Sequence, residues 1–210
     1  MTTPDHTRRL HLRQWAGLIA AASISPSLLP YPAWAQAGRG GGARRLVAYF
    51  SRTGHTRQAA LVIAQTVGAD LFEIEPSTPF PKAYQDTVEL NRRQIASGEY
   101  PAVARLIDGL ERYDTVFLGY PVWAVDLPRL LVPFLRQQDF RGKAIAPFCT
   151  SAMSGLAGTE QTIGRLCPGA RLLPGLSLPG GGRGHNTQVT RIDAASTLRS
   201  REWGLQGISR

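Results

Sequence analysis

Ser51-Arg52-Thr53-Gly54-His55-Thr56 sets three hydroxyls and a glycine within six residues, directly after the apolar run Leu46-Val47-Ala48-Tyr49-Phe50. Between a strand and the first turn of a helix, such a segment can cradle a phosphate. Backbone N–H groups and the positive helix end supply the field, and hydroxyls supply further donors. Capping the helix would need one hydroxyl, from Ser51 or Thr53; three of them favour a ligand. The loop is not a Walker loop, because G-x-x-x-x-G-K-[ST] is missing. A second segment, Gly119-Tyr120-Pro121-Val122-Trp123-Ala124-Val125-Asp126-Leu127-Pro128, brings large aromatics to the end of another apolar run. They could stack on a planar ring, although Tyr120 and Trp123 taken alone read better as core or rim aromatics. A third, Cys149-Thr150-Ser151-Ala152-Met153-Ser154-Gly155, is again rich in hydroxyls and small residues. The three together describe a flat, phosphorylated heteroaromatic ligand.

The elements that must position these loops alternate in type. Strands are expected at Leu46–Phe50, Leu71–Ile74, Thr115–Tyr120, Lys143–Cys149 and Arg171–Leu176, since short continuous apolar runs suit parallel strands covered on both faces. Helices are expected at Thr56–Val67, closed by Gly68, and at Lys82–Ser97, Pro101–Leu110, Pro128–Arg136, Thr159–Leu166 and Asp193–Ile208. Pro133 is expected to kink its helix. Five strands separated by helices make one α/β domain with a parallel sheet, and ligands of such sheets bind beyond the carboxyl ends of the strands.

With the loops in this order, Leu46 to Thr56, Tyr113 to Trp123 and Pro147 to Gly155 resemble the three FMN loops of the flavodoxin-like family. The resemblance implies a flavodoxin-like three-layer sandwich with sheet order 2-1-3-4-5 and non-covalently bound FMN. It implies that Ser51, Thr53 and Thr56, with the amides of Arg52, Gly54 and His55, hold the phosphate. Pro121, Val122 and Trp123 would border the isoalloxazine, and Thr150, Ser151 and Gly155 would line its other side. Members of the family often carry glycine where this chain has Ala124-Val125 and Ala152-Met153. Glycine at such places permits positive φ and close approach of backbone to the ring.

The 210 residues are 43% hydrophobic and 19% charged, a globular mixture, with a net charge of +9. Residues 1–37 read as an export leader. Arg8-Arg9 with His11, Leu12 and Arg13 resembles a twin-arginine signal, an apolar run from Trp15 to Leu29 follows, and Ala33-Trp34-Ala35-Gln36-Ala37 offers cleavage after Ala35 or Ala37. The run is shorter than the roughly 20 apolar residues a spanning helix needs. A Gly/Arg-rich link, 38–44, leads into the domain, 45–210. The leader's Arg8, Arg9, Arg13 and Asp5 carry only +2 of the +9, so the basic character belongs to the domain.

Scattered basic residues argue against nucleic acid as the partner. They suit an acidic redox protein or loose attraction to an anionic membrane face, in the periplasm if export holds. Cys149 and Cys167 match no redox or zinc spacing and stand open between a disulfide and buried free thiols. No metal site is expected. A receiver domain would need acidic residues around the first strand, and a serine hydrolase a G-x-S-x-G elbow; both are missing. His185 is a weak candidate for a substrate-side proton donor. With no compelling acid or base, and so no catalytic residue assigned, the expectation is an electron-transferring FMN protein of the cell envelope. Two alternatives stand beside it: an NAD(P)H-dependent FMN quinone reductase, and a non-redox binding protein that has lost flavin.

Overall fold

The structure is a computed structural model and describes residues 44–156 and 158–180. The leader, link residues 38–43, His185 and the expected Asp193–Ile208 helix lie outside the described residues. Strands β1 (Arg45–Tyr49), β2 (Asp70–Glu73), β3 (Thr115–Pro121), β4 (Ala144–Ser151), β5 (Arg171–Leu172) and β6 (Leu176–Pro179) join in one sheet. All their pairings are parallel, in the order β2-β1-β3-β4-β5, with β6 also on β4. The expected order 2-1-3-4-5 is the observed one.

Alternate residues of β1 enter two separate cores, because a strand points successive side chains to opposite faces. Leu46 and Ala48 join Leu118, Ile145, Leu131 and Phe134 on one side. Val47 and Tyr49 join Ala59, Ala60, Ile63, Ala64 and Val67 on the other. That second face is covered by α1 (His55–Val67), whose small buried alanines let it lie close to the sheet; Gly68 ends it at φ 62°. The first face is covered by α3 (Leu131–Arg136) and α4 (Thr159–Leu166). Helix α2 (Tyr84–Ser97) buries only Thr87 and contributes little to either core.

Three expectations are corrected. Pro101–Leu110 is not a helix. Ser77 and Ala104 donate to the carbonyls of Ala102 and Glu75, Val103 bridges Pro76, and only Leu110–Arg112 closes as a 3-10 turn. The backbone groups a helix would have paired internally are paired across to residues 75–77 instead. Pro133 kinks nothing: α3 begins at Leu131, not Pro128, so Pro133 sits in the first turn, where its missing N–H would have had no partner. The expected strand Arg171–Leu176 is divided. Ile145 pairs with Leu172 and Phe148 with Leu176, so Leu173, Pro174 and Gly175 oppose only two residues of β4. The extra residue bends the edge, and the pairing then runs on to Pro179.

Candidate functional site

Chain order reverses about β1, which lies between β2 and β3, and this is where an open parallel sheet leaves a crevice at its carboxyl end. A cavity of about 430 Å³ opens there, between the loops after β1, β3 and β4 and the first half of α2.

The first loop is built around Gly54, which takes φ 92° as the residue preceding α1. Glycine reaches that conformation without steric cost. Its N–H donates to Ser51 Oγ at 3.1 Å, and its carbonyl accepts the first helical bond, from Gln58. No side chain caps the helix, and its first turn carries no acidic residue. The first amides of α1 are therefore not taken by a side-chain cap beside the cavity. Arg52 reaches across the cavity wall to the Lys82 carbonyl at 3.2 Å, with its guanidinium 5.9 Å from the centre of the Tyr84 ring. Thr53 Oγ1 lies 3.0 Å from His55 Nδ1.

The second loop carries Pro121, Val122 and Trp123 along the cavity. The Trp123 indole meets Phe50 and Phe80 edge-to-face, at 5.5 and 5.2 Å between ring centres, so the core fixes its orientation. Trp123 and Asp126 exchange two backbone bonds of 3.0 Å, closing a two-residue hairpin with Ala124 at φ 49° and Val125 at φ 65°. Two successive positive φ values define a type I′ turn, which favours Asn-Gly. A β-branched residue there is strained, by about 1–3 kcal/mol. Tyr120 is core and does not line the cavity. It is fully buried, its hydroxyl is 2.7 Å from Thr159 Oγ1, and burial raises its pKa.

The third loop is tied to the first by a buried hydroxyl pair, Thr56 Oγ1 and Thr150 Oγ1, 2.8 Å apart. It is tied to the second by the Val122 N–H, which donates to the Thr150 carbonyl at 3.0 Å. Ser151 Oγ accepts from the Met153 and Gly155 N–H groups at 3.2 and 3.1 Å, folding the loop on itself.

Of the twelve residues singled out from the sequence, ten line the cavity. Gly54 and Gly155, at φ 92° and 58°, shape their loops from behind. Sequence reasoning missed Tyr84, Thr87, Val88 and Asn91 of α2 and Gly180; Ala124 and Ala152, noted there only as standing where the family often has glycine, also line the cavity. Only the proximity of a polar helix could have pointed to the first four. Among the described residues no carboxylate lines the cavity. Glu73, at the end of β2, is held by Arg57 at 2.6 Å and by the Tyr49 hydroxyl at 3.2 Å. The arrangement suits an anion at the α1 end and a flat apolar group against Trp123.

Cys149 and Cys167 are both buried and free. Among the described residues there is no cluster able to hold a metal ion, and no helix is long and apolar enough to cross a membrane.

The family model described as Flavodoxin matches residues 44–190. Among solved structures, the chain is similar to a candidate flavoprotein from Bacteroides uniformis. The two are 30% identical with a TM-score of 0.65, over 75% of this chain and 99% of that one. A candidate flavoprotein from Bacteroides eggerthii is 26% identical with a TM-score of 0.64, over 76% of this chain and 98% of the other. A flavoprotein from Lactobacillus acidophilus, solved in complex with FMN, shares the fold at 22% identity and a TM-score of 0.58, over 65% of this chain and 93% of that one. No curated protein matches.

Proposed function

The chain belongs to the flavodoxin family, and from that premise we propose that it binds FMN in the cavity at the sheet's carboxyl end and transfers electrons in the cell envelope. One observation carries the reading: the cavity joins the uncapped, acid-free start of α1 to a Trp123 wall, with no carboxylate among the described residues that line it. The donor set therefore fits a phosphate, and the wall fits a planar ring.

Ser51, Thr53 and Thr56, with the amides of Arg52 and His55 and the start of α1, hold the phosphate. The Gly54 amide, already given to Ser51, orders the loop. Because one hydrogen of the Thr56–Thr150 pair is spent within it, that pair fixes the spacing of the two loops as well as facing the ligand. Pro121, Val122 and Trp123 border the ring, with Thr150 and Ser151 opposite and Gly155 shaping their loop. When bound, FMN supplies one- or two-electron chemistry, while the protein supplies position and electrostatics.

Among the described residues His55 is the imidazole that lines the cavity, and its Nδ1 is engaged by Thr53. Among the described residues no carboxylate lines the cavity to move a proton, and on that ground a carrier is favoured over an NAD(P)H-dependent quinone reductase. The basic surface suits docking to an acidic redox partner, and the leader suits periplasmic delivery. The decisive measurement is a visible spectrum of the full chain refolded with FMN. A bound-flavin spectrum that disappears in the Ser51→Ala/Thr53→Ala variant supports the reading. A colourless protein sinks it in favour of a binding protein without flavin.

A further inference from the structure

A second cavity, of about 730 Å³, lies on the other side of the Trp123–Ala124 wall, between the far half of α2, the loop after β3, and helices α3 and α4. Its lining differs in kind from the first. Leu127, Val132, Leu166 and Ile95 give it an apolar body, and among the described residues Arg129, Arg136 and Arg165 bring three cations against one acid, Asp126. Among the described residues none of these arginines is in an ion pair.

Two of them share one anchor. The Arg129 and Arg136 guanidiniums sit 4.1 and 5.7 Å from the centre of the Tyr100 ring. Arg129 Nε donates to the Glu99 carbonyl at 2.7 Å, and Arg165 donates to Thr162 Oγ1 at 2.8 Å. Contacts of this kind orient a guanidinium while leaving its remaining N–H groups free, which is how a preformed anion clamp is built. Asp126 is turned to its own backbone, accepting the Leu127 N–H at 2.7 Å.

We propose that this cavity is a second ligand site, for a small aromatic anion whose ring lies on the apolar floor and whose acidic group meets Arg129, Arg136 and Arg165. A neutral apolar ligand would leave three cations unmatched. A bare inorganic anion would leave the floor unfilled, and burying that surface is the main source of affinity for small ligands. The inference goes beyond the flavin reading and does not require it, although the shared Trp123 wall would bring the second ligand next to the first.

The test is calorimetric titration of the full chain, with and without FMN, using 2-naphthalenesulfonate. 2-Naphthol serves as the probe without charge, and inorganic sulfate as the probe without a ring. The sulfonate is expected to bind at least about tenfold more tightly than either control, and the Arg136→Gln/Arg165→Gln variant to weaken it by about tenfold or more. Both arginines are exposed, so this variant should fold and bind FMN as before. Sulfonate binding that survives the arginine changes but is lost in Ser51→Ala/Thr53→Ala overturns the proposal, since the probe then occupies the first cavity. Binding weaker than about 1 mM overturns it too. So does 2-naphthol binding equally well. If FMN fails to bind while the sulfonate result holds, the flavin reading falls and this one stands.

Discussion

The two ends of the sheet treat polar groups in opposite ways. At the amino ends of the strands, donors and acceptors answer one another. The Arg44 N–H meets Asp114 at 2.8 Å, the Tyr113 hydroxyl meets Asp70 at 2.8 Å, and the buried Lys143 ammonium donates to the Tyr113 carbonyl at 2.8 Å. At the carboxyl ends, a helix start is left uncapped, no described carboxylate lines the cavity, and a hairpin holds a valine at φ 65°. The first end closes the structure; the second leaves helix-start amides facing a cavity and backbone strain in the hairpin beside it. Backbone strain costs stability, so its concentration beside the uncapped helix start sets this end apart and suits the proposed site.

The contrast can be broken by mutation. Its largest expected effect is at the phosphate loop. Ser51→Ala/Thr53→Ala should weaken FMN binding by about a hundredfold or more, at roughly 1.5–3 kcal/mol for each hydrogen bond to a charged group. Fluorescence titration measures this, and the FMN-free protein should lose only about 0.5–1.5 kcal/mol of stability, from the Gly54–Ser51 bond. Next is Thr150→Val, which strands the buried Thr56 hydroxyl and should cost about 1–3 kcal/mol in urea unfolding without FMN. Converting Thr56 to valine as well should recover part of the loss. A smaller and opposite change is expected from Val125→Gly, a gain of about 1 kcal/mol as strain is relieved. If the gain is missing, the carboxyl end is less strained than its backbone implies.

The weakest effect belongs to the closed end. Burial, aided by the Asp70 carboxylate, pushes the Tyr113 phenol up from 10.0 to about 12. A raised phenol is stabilising while protonated, so its contribution is complete below pH 10 and is lost as pH rises from 10 through 12. Tyr113→Phe should flatten that part of the stability profile.

What could be read in advance was whatever local chemistry dictates. The phosphate loop announces itself because its glycine, hydroxyls and helix start are consecutive, and the sheet order was expected from the family resemblance that these loops carry. The α2 wall was invisible for the opposite reason. Tyr84, Val88 and Asn91 lie on a helix whose polar surface looks solvated, and only its contacts with Arg52 bring them to the cavity. At Ala124-Val125 the sequence misleads, since neither residue favours positive φ, and it is the bonds between Trp123 and Asp126 that impose it. The false helix at 101–110 failed because residues 75–77 compete for the same backbone groups. Local preference cannot register a partner some 25 residues away.

The two free cysteines make the molecule its own clock. Thiolates react and thiols hardly do, and burial raises both, Cys167 to about 12. Each side chain can therefore be alkylated only during moments when its surroundings open. Cys149 belongs to β4 in the sheet interior, whereas Cys167 ends α4 at the periphery. Two labelling rates from one sample would then separate the lifting of a single helix from the unzipping of the whole sheet.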